Sequence, residues 1–274
     1  MKFGISTFIT DLSIRPAPLG RAIEERGFDS LFIAEHSHIP VDRSSPYPGG
    51  GDLPDIYYRT LDPFVALTAA ATVTERLLVG TGIALVSQRD PIHTAKGVAS
   101  LDLISEGRAV FGVGVGWNRE EMANHGTDAS TRGRLVDERL RAIIELWTKE
   151  KAEFHGAFVD FDPVYSWPKP VQRPHPPIYV GGGRGAFPRV AELGDAWLAN
   201  SVPPETLRTQ IEEVRGAAGR EVPVTVYAVP DTPEAIEKYA ELDVERVLFY
   251  LPSDPESAAL AQLDRLAEVA GRFR

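Results

Sequence analysis

Pro177-Ile178-Tyr179-Val180-Gly181-Gly182-Gly183-Arg184-Gly185, followed by the helical pattern Phe187–Leu193, decides the fold. An apolar strand runs into a glycine-rich turn, and a helix starts almost at once. Glycine tolerates φ > 0 and lets the main chain come close to a ligand. The helix N-terminus behind it presents free N–H groups and a partial positive charge. The turn therefore reads as a phosphate seat or as a plain structural cap, and this segment alone does not separate the two.

The same strand–turn–helix unit recurs in both directions. Strands are expected at Phe3–Thr7, Ser30–Ala34, Leu77–Leu85, Ala109–Val113, Ile178–Val180, Ala196–Asn200, Val222–Val229 and Val247–Leu251. Helical patterns cover Pro18–Arg26, Pro63–Ala71, Pro91–Ile104, Arg132–Trp147, Phe187–Leu193, Glu205–Ala217, Pro233–Glu241 and Pro255–Gly271. Proline stands near many helix starts, where its missing N–H costs little. Short apolar strands alternating with helices imply a parallel sheet covered on both faces. Eight such units predict an α/β protein, a (β/α)8 TIM barrel, as one domain over residues 1–274. A doubly wound sheet would carry an early Gly-x-Gly-x-x-Gly after its first strand, and this chain does not.

Two stretches interrupt the repeat: Ser37–Thr60 after strand two, with its run Pro48-Gly49-Gly50-Gly51, and the proline-rich Lys151–Pro177 before strand five. Long insertions in compact domains are commonly functional. Both are expected to form the substrate pocket, with Tyr57, Tyr58, Trp117 and Trp167 as walls.

Composition bounds the function. With 274 residues, 43% hydrophobic and 25% charged, the chain can bury a large core without disulfides. It has no cysteine, which removes thiolate chemistry and fits a cytoplasmic setting. A net charge of −10 without a basic stripe disfavours nucleic acid and anionic membranes as partners. Met1 to Ser6 reads as a strand rather than a secretory leader.

In such a barrel the residues after the strands gather at one mouth. After strand two stand Glu35-His36-Ser37-His38. His36 is the acid–base candidate, because imidazole titrates near neutral pH; the alternative is that it only orients a cofactor or the loop. Glu35 adjoins it, but neighbours along a strand point oppositely and need not pair. Ligands clustered in one loop, with no partner from a second strand, disfavour a metal. After strand four, Gly114, Gly116 and Asn118 form a second permissive loop, suited to a ligand hydroxyl or phosphate, or to a simple turn. No Ser-His-Asp order, Walker loop or paired carboxylates stand out, so the chemistry is expected to reside in a bound organic cofactor.

These residues resemble the luciferase-like monooxygenase superfamily of flavin- and deazaflavin-dependent oxidoreductases, most closely its coenzyme F420-dependent branch. The resemblance runs through Gly27-Phe28-Asp29-Ser30-Leu31, Glu35-His36, Leu61-Asp62-Pro63-Phe64, Thr74-Glu75-Arg76-Leu77, Gly80-Thr81-Gly82, Arg89-Asp90-Pro91 and Leu101-Asp102-Leu103-Ile104-Ser105. It continues through Gly107-Arg108, Gly112-Val113-Gly114-Val115-Gly116-Trp117-Asn118 and the triple glycine, and covers nearly the whole chain.

The resemblance implies a luciferase-like barrel with a non-proline cis peptide at Gly82–Ile83 and phosphate at the triple glycine. It also implies a cofactor contact from Asn118 and a proton-handling or orienting role for His36. The expected cofactor-binding set is Glu35, His36, Gly82, Ile83, Gly116, Trp117, Asn118, Gly181, Gly182, Gly183 and Arg184. F420 is the expected cofactor, with FMN as the alternative. A basic rim of Arg184 or Arg189 would favour the longer acidic tail of F420, although either could be an ordinary surface charge. Sugar-phosphate dehydrogenases of the branch carry a glutamate where this chain has Val115, which disfavours that reaction. The expected activity is hydride transfer between deazaflavin and a small organic substrate. The alternatives are an FMN-dependent monooxygenase served by a separate flavin reductase, and a silent cofactor-binding barrel. A homodimer is expected from the resemblance.

Overall fold

The computed structural model describes residues 1–274. Eight parallel strands close a barrel: β1 (Lys2–Thr7), β2 (Ser30–Ile33), β3 (Leu78–Thr81), β5 (Ala109–Gly114), β8 (Ile178–Gly181), β9 (Ala196–Asn200), β10 (Val224–Tyr227) and β11 (Arg246–Tyr250), with a two-residue β4 (Ala84–Leu85) laid on β5. Closure comes from β3 against β5, with Val79 opposite Ala109 and Gly80 opposite Val110, and from β1 against β11. The helices α1 (Pro16–Glu25), α2 (Pro63–Ala71), α3 (Pro91–Ile104), α4 (Arg119–Asn124), α5 (Arg132–Thr148), α6 (Phe187–Leu193), α7 (Pro204–Ala218), α8 (Pro233–Ala240) and α9 (Glu256–Gly271) follow the strands. Side-chain caps and proline set several starts. Asp62 accepts from the amides of Phe64 and Val65 ahead of Pro63, and Asp90 accepts from that of His93 ahead of Pro91.

Two cores result. The larger lies between the strands and the helices. The smaller fills the barrel with Phe32, Val110, Tyr179, Leu198 and Leu248. Below it Arg246, 1% exposed, bonds Asp29 at 2.8 Å, Thr225 at 3.2 Å and the Tyr179 hydroxyl at 3.3 Å, closing the N-terminal end of the barrel.

The expected strand Leu77–Leu85 is two pieces, β3 and β4, separated by the cis peptide Gly82–Ile83. The Ile83 side chain fills space that Cβ atoms on Gly114 and Gly181 would occupy: a Cβ on Gly114 would lie 1.8 Å from Ile83 Cδ1, and one on Gly181 2.9 Å from Cγ2. Helix α4 was not expected from the sequence.

The second insertion does not reach the mouth. It begins with an antiparallel hairpin, β6 (Ala152–His155) and β7 (Asp160–Val164). Glu138 of α5 accepts from the amides of Ala157 and Phe158 at 3.1 and 2.7 Å. Asp102 of α3 accepts from those of Val171 and Gln172 at 2.7 and 3.0 Å. The reason is topological: the segment leads from a helix into a strand and therefore lies at the strands' N-terminal ends. Tyr58 and Trp167, expected as pocket walls, are 54% and 58% exposed and stand outside the mouth.

Candidate active site

A cavity of about 660 Å³ opens at the C-terminal ends of the strands. Its floor is main chain and small side chains: Gly82, Ile83 and Leu85 after β3, Val115 and Gly116 after β5, and Gly181 and Gly182 after β8. Gly116 and Gly182 take φ of +75° and +123°, values that favour glycine. The Gly182 carbonyl is fixed by the indole N–H of Trp197 at 2.7 Å. The upper walls are aromatic: Phe8, Tyr47, Tyr57, Trp117, Tyr227 and Tyr250.

His36 stands at the junction of floor and wall, 7% exposed. Its Nδ1 lies 2.7 Å from Glu121 Oε2, and the Trp117 indole N–H donates to its Nε2 at 3.3 Å. Indole is only a donor, so Nε2 accepts, and the ring proton sits on Nδ1 and is donated to the Glu121 carboxylate. The single lone pair of Nε2 is thus occupied by the Trp117 N–H. Glu121 is fully buried. Burial alone would raise its carboxyl, but hydrogen bonds from His36 and the Ser37 amide outweigh this and hold it below the ordinary range. The second carboxylate oxygen accepts from the Ser37 amide at 3.0 Å, and Thr60 clamps the His36 carbonyl at 2.7 Å.

Glu35 lines the cavity but does not pair with His36. Its oxygens accept from the Leu85 amide at 2.7 Å and from Arg89 Nε at 2.6 Å, tying β2 to the segment after β3. Arg89 also holds Asp62 at 2.8 Å. Burial would lower the Arg89 guanidinium, but the carboxylates of Glu35 and Asp62 raise it.

Three expected cofactor residues lie off the cavity. Asn118 is fully buried beneath it as the N-cap of α4, its Oδ1 accepting from the Glu121 amide at 3.2 Å, and its Nδ2 finds no protein partner. Gly183 is exposed. Arg184 is turned outward onto Glu213 of α7, at 2.6 and 3.1 Å, because the short 3₁₀ turn Arg184–Ala186 points its side chain along the helical layer. Arg189 is likewise spent on Asp137 and the Gly133 carbonyl. The expected basic rim is therefore not formed by either arginine. Glu35, His36, Gly82, Ile83, Gly116, Trp117, Gly181 and Gly182 do come together.

Glu121, Tyr47, Tyr227 and Tyr250 were missed. The spacing Asn118-x-x-Glu121 is the pattern of a helix N-terminus with an acid in its first turn, and it would have put Glu121 at the mouth. Tyr227 and Tyr250 are the last residues of β10 and β11, the positions that a barrel directs to its mouth.

The first insertion crosses the mouth. Glu120 of α4 accepts from the amides of Ser44 and Ser45 at 3.1 and 3.2 Å and from the Ser44 hydroxyl at 2.7 Å. Tyr47, Tyr57 and Trp117 then meet in edge-on contacts, with centroids 5.3 to 6.3 Å apart. No helix is long and apolar enough to cross a membrane.

A family model described as luciferase-like monooxygenase matches residues 15–272. The chain is 40% identical over 276 residues to an uncharacterized protein of Mycobacterium tuberculosis (strain ATCC 25618 / H37Rv), covering 97% of this chain and 98% of that protein. It is 29% identical over 208 residues to an F420-dependent glucose-6-phosphate dehydrogenase of Kineococcus radiotolerans, covering 72% and 57%. It is 32% identical over 154 residues to an FMNH(2)-dependent dimethylsulfone monooxygenase of Pseudomonas putida, covering 55% and 42%. The fold is similar to that of monooxygenase RslO1 from Streptomyces bottropensis, with a TM-score of 0.82 over the whole of both chains at 20% identity.

Proposed function

From the premise that this chain belongs to the luciferase-like monooxygenase family, we propose that it is a coenzyme F420-dependent oxidoreductase that moves hydride between the deazaflavin and a small organic substrate. The observation that carries this reading is a cavity-lining His36 whose Nδ1 is committed to buried Glu121, which leaves Nε2, held by the Trp117 N–H, as the nitrogen that can exchange a proton with substrate. Proton transfer by a fixed base is what oxidation of an alcohol needs beside a hydride acceptor.

The residues fit a large planar organic cofactor. The floor is built from Gly82, Ile83, Gly116, Gly181 and Gly182, the lining is mostly apolar, and Gly114 and Gly181 leave room for the Ile83 side chain. Bound there, a deazaflavin supplies a two-electron hydride acceptor or donor. Gly182, at φ +123°, offers its main chain to the phosphate end. Within the protein, a substrate hydroxyl displaces the Trp117 indole N–H from the single Nε2 lone pair and gives its proton there, and Glu121 stabilises the imidazolium that results. In the reverse direction the imidazolium returns the proton to a carbonyl oxygen.

A second reading, an FMN-dependent monooxygenase, is favoured by one observation: Arg184 and Arg189 are both engaged elsewhere, so neither is available to the acidic tail of F420. Parallel fluorescence titrations of the cofactor-free protein with F420 and FMN test the choice. Tighter binding of F420 is expected. Tighter binding of FMN, with substrate-dependent oxygen uptake, would move the protein to the second reading.

A further inference from the structure

The upper half of the cavity has a chemistry of its own. Tyr47 and Tyr57 come from the insertion, Trp117 from the loop after β5, and Tyr227 and Tyr250 from the ends of β10 and β11. No lysine or arginine is among the lining residues. The two charged groups at its edge are neutralised: Glu35 by Arg89, and the Glu121 carboxylate by hydrogen bonds from His36 and Ser37. Two cations touch lining residues and both are engaged: Arg89 with Glu35 and Asp62, and Arg43 over the Trp117 ring, 5.6 Å from its centroid, with its guanidinium donating to the Ser45 carbonyl. Burial raises the phenols of Tyr57, Tyr227 and Tyr250, and their neighbours raise them further, so they remain neutral hydroxyls.

An anion placed here would lose its hydration with no opposite charge to replace it, which is costly. A flat apolar ring would instead bury its faces against aromatic walls, and a hydroxyl or carbonyl on it could reach the phenols or His36. Pockets of this make-up take orientation from a few polar groups and binding energy from apolar area.

We infer that the substrate is an uncharged, ring-bearing alcohol or ketone, held among Tyr47, Tyr57, Trp117, Tyr227 and Tyr250. This rests on the hydride-transfer reading above and adds to it a class of substrate.

Acetophenone and 4-acetylbenzoate share one ring ketone and differ by a carboxylate. Calorimetric titration of each into the F420-loaded protein needs no turnover. Acetophenone is expected to bind at least about tenfold more tightly, the cost of an uncompensated charge. Equal or tighter binding of 4-acetylbenzoate would overturn the inference, as would no binding of acetophenone to protein that holds F420. If F420 itself does not bind, the earlier reading fails, and the same ranking is expected with FMN loaded. Tyr47→Lys places a cation on the wall and should shift the preference toward 4-acetylbenzoate by about tenfold or more. An unchanged preference in this variant, with the cofactor still bound, would show that the ring does not lie there.

Discussion

His36 and Glu121 form one hydrogen-bonded unit, the carboxylate accepting from Nδ1 and the Trp117 indole donating to Nε2, and on the proposed reading the imidazole is the base. His36→Ala should lower turnover at saturating cofactor by about 10²–10⁴-fold, the usual worth of a positioned acid or base. Glu121→Gln should cost about 10²-fold, leave cofactor affinity nearly unchanged, and add little when combined with His36→Ala. Steady-state rates alongside cofactor dissociation constants check this, and a fully additive double variant would separate the two residues. His36 was legible in the sequence because it follows a strand at the mouth. Its partner was not, since nothing local indicates that a residue 85 positions away turns toward it. Asn118 shows the converse. Its type suited a ligand contact, yet at the start of α4 the same side chain satisfies a helix amide instead.

At the scale of elements, the insertion and the strand ends behave as separate pieces. Hydrogen bonds from Ser45 and Ser44 pull the Glu120 carboxyl down to about 2 from an ordinary 4.5. A lowered carboxyl stabilises its docked form above the ordinary value and loses that contribution as pH falls. The tie is therefore complete above about 4.5 and is lost as pH falls toward about 2. Glu120→Ala should raise amide exchange at Ser44 and Ser45 while melting temperature barely moves, and unchanged protection would refute the tie. At β5, Gly114→Val would put a side chain into the space of Ile83. It should weaken cofactor binding and cost about 1–3 kcal/mol of stability by overpacking, measurable by denaturant unfolding. Periodicity gave the order of the eight barrel strands and of the helices it named, but neither α4 nor the β6–β7 hairpin. It could not divide Leu77–Leu85, where the apolar pattern runs on through the cis peptide. Nor could it say which end of the barrel Lys151–Pro177 joins without first counting that segment as a helix-to-strand link.

Across the whole molecule, one end of the barrel holds the candidate site and the other a buried charge network. Arg246 is sealed at the N-terminal end with Asp29, itself 27% exposed at the side chain. Arg246→Met leaves Asp29 and the Tyr179 and Thr225 hydroxyls short of a partner, and should cost about 3 kcal/mol. The rate per folded molecule should remain close to that of the parent protein, because no contact of Arg246 reaches the mouth. Unfolding curves paired with active-fraction measurements check both halves. This division was legible only in outline. The count of units gave a barrel, and the barrel gave a functional face, but an arginine at the start of a strand carries no sign that it points inward.

The segment between residues 37 and 60 leaves from the end of β2 and returns to the barrel where Thr60 bridges Thr10 and the Leu61 amide meets the Ile9 carbonyl at 2.9 Å. It carries Tyr47 and Tyr57, whereas His36, Glu121 and the glycine floor belong to the scaffold beneath. On the proposed reading, part of the wall that selects substrate is thus encoded in a different stretch of gene from the reactive pair. Descendants could exchange this cassette and inherit new substrates without rebuilding the catalytic apparatus, and an engineer could graft it in the same way.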